Sequence, residues 1–405
     1  MFRQTLIRQL HTSIKLSKEA DFTHVVIGAG SVGLAVAHKL TISSTPSNKD
    51  NKVLVIERNE SFGQEISSRN SEVVHAGLYY PPNSLKTELC ISGKEQLYSL
   101  SDNFGIKKCG KWIVAQNETQ MNYLEKLHEK GKQLQIPTKF VDWGQAKLDE
   151  PLIKVGAGVL ESSSTGIIDS HGYMEWLVSQ IEEGNGELVY DTNVVGLSYD
   201  PHNEVYEIET QSGSVNGEEA ELEEEKFVIS SNNVINAAGL GATDINNLLM
   251  PEEKHMKTYY AKGNYFALTG LGNLKIKRLI YPCPDELHVK SLGTHLTIDM
   301  GGQVKFGPDL EWIDEIDYHV NDNNLNNALT EIQKYLPIVK RENLVGVYSG
   351  IRPKLISEKE NKFQDFVIRE ESESGFKGFV NLLGIESPGL TSSLGIAKYV
   401  KEKFY

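Results

Sequence analysis

Residues 22–33 read Phe-Thr-His-Val-Val-Ile-Gly-Ala-Gly-Ser-Val-Gly, and this stretch decides the fold. Phe22 to Ile27 is a short, mainly apolar run rich in β-branched residues, the composition of a buried strand. Gly28, Gly30 and Gly33 follow in G-x-G-x-x-G spacing, and a helical pattern runs on to about Leu40. In that context each glycine has a task. Gly28 permits the tight turn, Gly30 clears the way for a pyrophosphate, and Gly33 lets helix and strand pack closely. The helix start offers unpaired N–H groups and a positive dipole end to phosphate. A second buried strand, Val53 to Ile56, ends at Glu57, where a carboxylate can accept hydrogen bonds from a ribose. Its distance from the glycines exceeds the usual ~20 residues because a polar loop, Ser43 to Asn51, intervenes. The unit is a Rossmann-type βαβ dinucleotide site.

The remaining composition narrows the class. At 405 residues the chain exceeds what one core supports, so two packed domains are expected. A net charge of −14 argues against a nucleic-acid partner. Cys90, Cys109 and Cys283 are few, odd in number and without metal-binding spacing, so they read as reduced thiols and no metal site is expected. Residues 1–18 carry Arg3, Arg8, Lys15 and Lys18, no acid, several hydroxyls and an apolar helical face, which is a mitochondrial presequence pattern. Its removal takes the net charge from −14 to −18. No apolar run is long enough to cross a bilayer. The acidic block Glu218 to Glu225 reads as a solvated insertion in an antiparallel meander between Asn193 and Ile229. Helices are expected over 118–133 and 171–183, and the chain should end as a strand from Phe379, a Gly/Pro turn and a helix.

Two further segments resemble those of the D-amino-acid-oxidase-like flavoproteins: Val234–Gly241 (VINAAGLG) and Gly384–Thr391 (GIESPGLT). The resemblance implies FAD as cofactor, contacted by Gly28, Gly30, Gly33, Glu57, Ser67, Ser68, Arg69, Val194, Ala237, Gly239, Gly384, Gly389, Leu390 and Thr391. A helix starting near Gly389 would aim N–H donors at the flavin pyrimidine edge. A closer resemblance starts at Ser67, SSRNSEVVHAGLYYP, which is similar to the signature of the L-2-hydroxyglutarate dehydrogenase and oxidase family. Matches continue in order through Thr165–Ser170, Lys262–Phe266, Tyr281–Asp285, Leu292–Thr297, Gly307-Pro308 and Gly350–Pro353, so nearly all from Asp21 onward is covered. There are departures. Glu72 stands where the family has glycine, Lys262 replaces an arginine, and Asp309 replaces an asparagine, so two of them bring negative charge toward the expected site.

The resemblance implies oxidation of (S)-2-hydroxyglutarate, a small dicarboxylate, to 2-oxoglutarate, with hydride passing to the flavin. The base would be His75 or His295, the other serving as hydrogen-bond partner, since a histidine titrating near ambient pH suits that role. Arg352 is the choice for the α-carboxylate through a bidentate pair, with Lys262 and Tyr265 lining the pocket or meeting the second carboxylate. The electron acceptor is left open among oxygen, a quinone and another flavoprotein. Rival readings are an amine or amino-acid oxidase, a glycerol-3-phosphate dehydrogenase relative, and a non-catalytic flavoprotein assembly factor; the pair of histidines and Arg352 weigh against them. The expected fold is α/β: a discontinuous, mostly parallel FAD-binding domain from 20–95, 155–245 and 345–405, and an antiparallel substrate domain from 96–154 and 246–344.

Overall fold

The computed structural model describes residues 19–42, 51–212, 226–272, 274–284, 293–360 and 362–405. The presequence pattern at 1–18, nearly all of the polar loop after residue 42, the acidic block, Asp285 and Leu292 lie outside the described residues.

From β1 (Phe22–Ile27) the chain enters α1 (Ser31–Ile42) and returns as β2 (Val53–Ile56). It crosses through α2 (Leu85–Ser99) to β3 (Lys111–Ala115) and comes back by α3 (Ser170–Glu183) to a short strand, Glu187–Val189. A meander of Thr192–Asp200 and Val205–Ser212 leads into β4 (Lys226–Asn236). Then come β5 (Tyr259–Leu268), β6 (Leu279–Pro282) and β7 (Leu344–Lys354). The chain closes with β8 (Phe376–Leu383) and α4 (Gly389–Phe404).

The first sheet is parallel at its centre, in the order β8, β4, β1, β2, Glu187–Val189. Central parallel strands are covered on both faces, so they need continuous apolar runs. Accordingly Val25, Val26, Val53, Val55, Val234 and Ile235 are all shielded from solvent. The meander pairs antiparallel with the first half of β4. α1 is enclosed between this sheet, α3 and α4, which explains why Leu34, Ala35, Val36, Ala37 and Leu40 are all buried. α2 and α4 cross closely because both contact points are glycines. A Cβ at Gly93 would fall 2.2 Å from Thr391 O, and one at Gly395 2.5 Å from Leu89 O.

Among the described residues the second sheet has nine strands and is largely antiparallel, with one parallel pair, β6 on β3. β5 lies against β7 over ten residue pairs with a bulge at Tyr265/Phe266. This sheet is wider than the ranges expected from sequence. Gly158–Ser162 pairs with β3, and β7 pairs with β5, although both fall in ranges assigned above to the first domain. Strand membership is decided by partners distant in the chain, which local composition does not encode. The expected helices appear at Glu118–Gln133 and Ser170–Glu183. Among the described residues no helix is long and apolar enough to cross a membrane.

Candidate active site

The turn between β1 and α1 is built as its glycines require. Gly28 has φ +106° and donates its N–H to Ile56 O at 2.8 Å. Gly33 lies so close to the turn that a Cβ there would sit 2.0 Å from Gly28 O. Gly30 differs: a Cβ would meet only Ser67 Oγ, at 3.0 Å, and otherwise open space. That space belongs to a cavity of about 1170 Å³ between the two sheets. Glu57 is buried at the end of β2; its Oε2 accepts from Ala29 N at 2.8 Å and its Oε1 from the Asn59 backbone and side-chain nitrogens.

Along the same cavity lie Gly28, Gly30, Gly33, Glu57, Ser67, Arg69, Val194, Ala237, Gly239, Gly389, Leu390 and Thr391. This set fits an extended dinucleotide. Gly30 leaves a hollow that any side chain would fill. The first-turn N–H groups of Leu390 and Thr391 take no backbone partner among the described residues. Arg69 Nε and Gln364 Nε2, both from residues lining the cavity, are buried without a hydrogen-bond partner. Two expected contacts fall elsewhere. Ser68 donates its hydroxyl to Gly63 O and holds the loop, and Gly384 is a left-handed turn (φ +64°) beside Gln364; neither lines the cavity.

The far end of the cavity carries the polar side chains. His75 follows the short strand Val73–Val74. Its N–H donates to Thr391 Oγ1 at 3.0 Å, and Thr391 donates in turn to Val73 O, which ties the histidine to the start of α4. Its Nε2 lies 3.5 Å from Ser387 Oγ. Burial, reinforced by the Lys111 ammonium, lowers His75 to about 3. The imidazole is therefore neutral at ambient pH, where sequence alone led to an expectation of ordinary titration. His295 is buried on the opposite wall and stacks flat on Tyr281, ring centroids 3.6 Å apart. Tyr265 is buried against Tyr348; burial raises its hydroxyl, while the neighbouring Arg352 acts to lower it. Arg352 lines the cavity from β7, and its guanidinium forms no hydrogen bond or ion pair among the described residues.

Lys262 does not join them. It projects from the other face of β5 than Gly263 and Tyr265, and donates to Asp317 Oδ2 at 2.8 Å, with its stem fully buried. The two acidic departures are also spent inside the protein. Glu72, at φ +54°, accepts from the Ser170 N–H and hydroxyl at the start of α3, and is absent from the cavity wall. Asp309 does line the cavity, but its carboxylate accepts from the Asn264 backbone and side chain.

Other residues at the site were given no role by the sequence. Lys86 and Lys354 both reach Glu386 Oε1, at 2.8 and 2.6 Å. Burial raises this carboxyl, and the two ammoniums outweigh burial, leaving it at about 2. Tyr79 and Tyr281 face one another at 6.5 Å along the wall. Of these, Tyr79, Tyr281 and Glu386 fell within matched segments, where nothing gave them a role, and Lys86 and Lys354 fell outside them.

The family described as FAD dependent oxidoreductase matches residues 23–403. The chain belongs to that family. FAD is thus the cofactor of this oxidoreductase, and the glycine turn, Glu57 and the start of α4 are the parts of the cavity that suit it. Among curated relatives, the mitochondrial L-2-hydroxyglutarate dehydrogenase of Arabidopsis thaliana is 37% identical, over 99% of this chain and 87% of that one. The human mitochondrial L-2-hydroxyglutarate dehydrogenase is 25% identical, over 98% and 91%. A solved structure, L-alpha-glycerophosphate oxidase from Mycoplasma pneumoniae with FAD bound, superposes with TM-score 0.77 at 22% identity, covering 94% of each chain, and so shares the fold.

Proposed function

We propose that this oxidoreductase converts (S)-2-hydroxyglutarate to 2-oxoglutarate and that it acts in mitochondria, as the presequence pattern and the plant and human relatives suggest. The observation that carries the reading is one cavity holding a neutral histidine and an arginine without an acid partner. When bound, FAD supplies the acceptor for the hydride that leaves the substrate carbon.

His75 Nε2 takes the hydroxyl proton. Thr391 and Ser387 fix the histidine against the start of α4, the segment that would hold the flavin. Arg352 grips the α-carboxylate in a two-pronged, charge-assisted pair. His295, held flat by Tyr281, contributes a hydrogen bond from the other wall.

Anaerobic addition of single enantiomers to the yellow protein tests the proposal. The S enantiomer of 2-hydroxyglutarate should bleach the flavin and the R enantiomer should not. Bleaching by amino acids, with every 2-hydroxy acid inert, would overturn it. Arg352→Ala should raise the substrate Kd by at least about a hundredfold, the cost of about 3 kcal/mol when a desolvated charge pair loses one member.

A further inference from the structure

Lys354 stands two residues beyond Arg352 on β7. Side chains alternate along a strand, so the two share a face; both line the cavity, and Pro353 between them does not. Pairing with β5 is regular here, Arg352 opposite Ala261 and Lys354 opposite Tyr259. The rise of a strand therefore sets their Cα atoms about 6.6 Å apart. An unbranched acid of five carbons, with bonds of about 1.5 Å and staggered torsions, holds its two end carbons about 5 Å apart. A ligand gripped by Arg352 at one end thus brings its other end to Lys354.

The charge at that point is in surplus. Lys86 and Glu386 form a closed pair, with side chains 4% and 7% exposed and Nζ 2.8 Å from Oε1. The rings of Tyr80, Phe363 and Phe366 surround that ammonium, with centroids at 5.7, 5.7 and 5.4 Å. This pair is neutral by itself. Lys354 is the third member, 2.6 Å from the same Oε1 and 25% exposed. An ammonium carries three N–H donors. Lys354 spends one on Glu386 among the described residues, which leaves two for a ligand. Burial lowers the Lys354 ammonium, and the Glu386 carboxylate works against burial. Three charges that sum to +1 on a cavity wall are balanced by one further anion.

We infer that Lys354 is the specificity-determining residue for the second carboxylate: Arg352 holds one end of a five-carbon dicarboxylate and Lys354 the other. The inference rests on the proposal that the substrate is a 2-hydroxy diacid. Glu386 fixes where the Lys354 ammonium sits, and Lys86 neutralises a carboxylate that would otherwise repel the substrate. Both are positioning residues. A monocarboxylate of the same length satisfies Arg352 but leaves the Lys354 donors without an anion in a half-dry pocket, so the site attracts the diacid and penalises the monoacid together.

The test compares binding of glutarate and pentanoate, five-carbon acids with no hydroxyl to oxidise, to the holoenzyme at neutral pH, read from the shift in flavin absorbance. Wild type should bind glutarate more tightly. Lys354→Met should shrink that preference at least about tenfold, the worth of one hydrogen bond between charged groups. The loss should fall on glutarate and leave pentanoate within about twofold. Lys354→Arg keeps the charge and should keep most of the preference. Glu386→Gln removes the only negative member of the triad and should enlarge the preference several-fold, a change of opposite sign that a lost packing contact does not produce. Lys354→Gln serves the same measurement if the methionine variant does not retain flavin. Equal weakening of both acids, or a preference unmoved in the neutral variant at wild-type flavin content, would overturn the inference. Failure of the oxidation proposal shows differently, as a flavin that no 2-hydroxy acid bleaches, whatever the two affinities are.

Discussion

Gly30 and Gly33 are three residues apart in one motif, yet the structure gives them different tasks that substitution separates. In Gly33→Ala the new Cβ would lie 2.0 Å from Gly28 O, where ordinary contact begins at 3.4 Å. The obstacle is backbone on both sides, and the flanking Leu34 and Ala35 are fully buried, so no side-chain rotation relieves it. Overpacking of this kind costs about 1–3 kcal/mol, and a rigid backbone clash belongs at the upper end. Unfolding entropy is about 2.1 cal/mol/K per residue, so 3 kcal/mol lowers Tm by about 3–4 °C for a chain of this length unfolding as one unit. In Gly30→Ala the Cβ touches only the rotatable Ser67 hydroxyl, and the flavin-free protein should melt within about 1 °C of wild type. There the methyl projects into the cavity, so FAD affinity should fall at least about tenfold, some 1.4 kcal/mol. The assay pairs circular-dichroism melting of the apoproteins with flavin content after dialysis. A Gly33→Ala protein with unchanged apoprotein Tm and full flavin would refute the reasoning. So would a Gly30→Ala protein as destabilised as Gly33→Ala.

Three other outcomes test separate parts of the structure. Glu72→Gln should lower stability by about 1 kcal/mol, as for a lost helix cap, with KM unchanged; a KM that falls several-fold at unchanged Tm would restore Glu72 to the active site. His24 is held near 4 by burial and then by Lys401. Because the unfolded chain binds that proton more readily, its contribution is complete above pH 6.5 and is lost as pH falls toward 4, by about 3 kcal/mol. His24→Phe should therefore flatten the fall in urea midpoint between pH 6.5 and 4, and an unaltered slope counts against the assignment. Asn381, fully buried in β8, accepts from Asn236 and donates to Asn246 and Glu371. Asn381→Ala strands Asn246 Oδ1 and takes one bond each from Asn236, which keeps Ala242 O, and Glu371, which keeps Arg369, so it should cost about 2 kcal/mol in denaturant unfolding; no measurable loss would mean that the network repacks.

The first domain was legible because its information is local. Strand, turn, helix and second strand lie within residues 22–57, and each glycine is required by a contact only a few residues away or across one strand pair. The histidines were legible for another reason: several motifs matched in order, and both proved to face the cavity. Sidedness was not legible. Lys262 and Tyr265 stand three apart in a run that reads as strand, and only pairing with β7, including the bulge at Tyr265/Phe266, fixes which faces the site. Glu72 was misplaced because a carboxylate one turn from a histidine can equally cap a helix that begins a hundred residues later. Lys111 heads the strand Lys-Trp-Ile-Val-Ala, where a polar first residue ordinarily points to solvent.

These corrections bear on how an acidic protein admits an anion. With a net charge of −14, attraction must come from cations that local acids have not consumed. Lys262 is consumed by Asp317, and Lys86 and Lys354 share Glu386, so that triad retains one positive charge. Arg69 stacks on Tyr318, and Lys111 lies beside the rings of Tyr79 and Tyr281, where burial lowers it to about 7, so both meet rings and not carboxylates. Arg352 has neither kind of partner among the described residues. In place of the lysine read from sequence as a substrate ligand, the cavity wall offers one open guanidinium, the ring-held Arg69, and a triad with one charge to spare. The binding proposed above therefore predicts that preference for a dicarboxylate over a monocarboxylate falls as salt rises, read as the ratio of their Kd values at several ionic strengths; a salt-independent ratio would count against it.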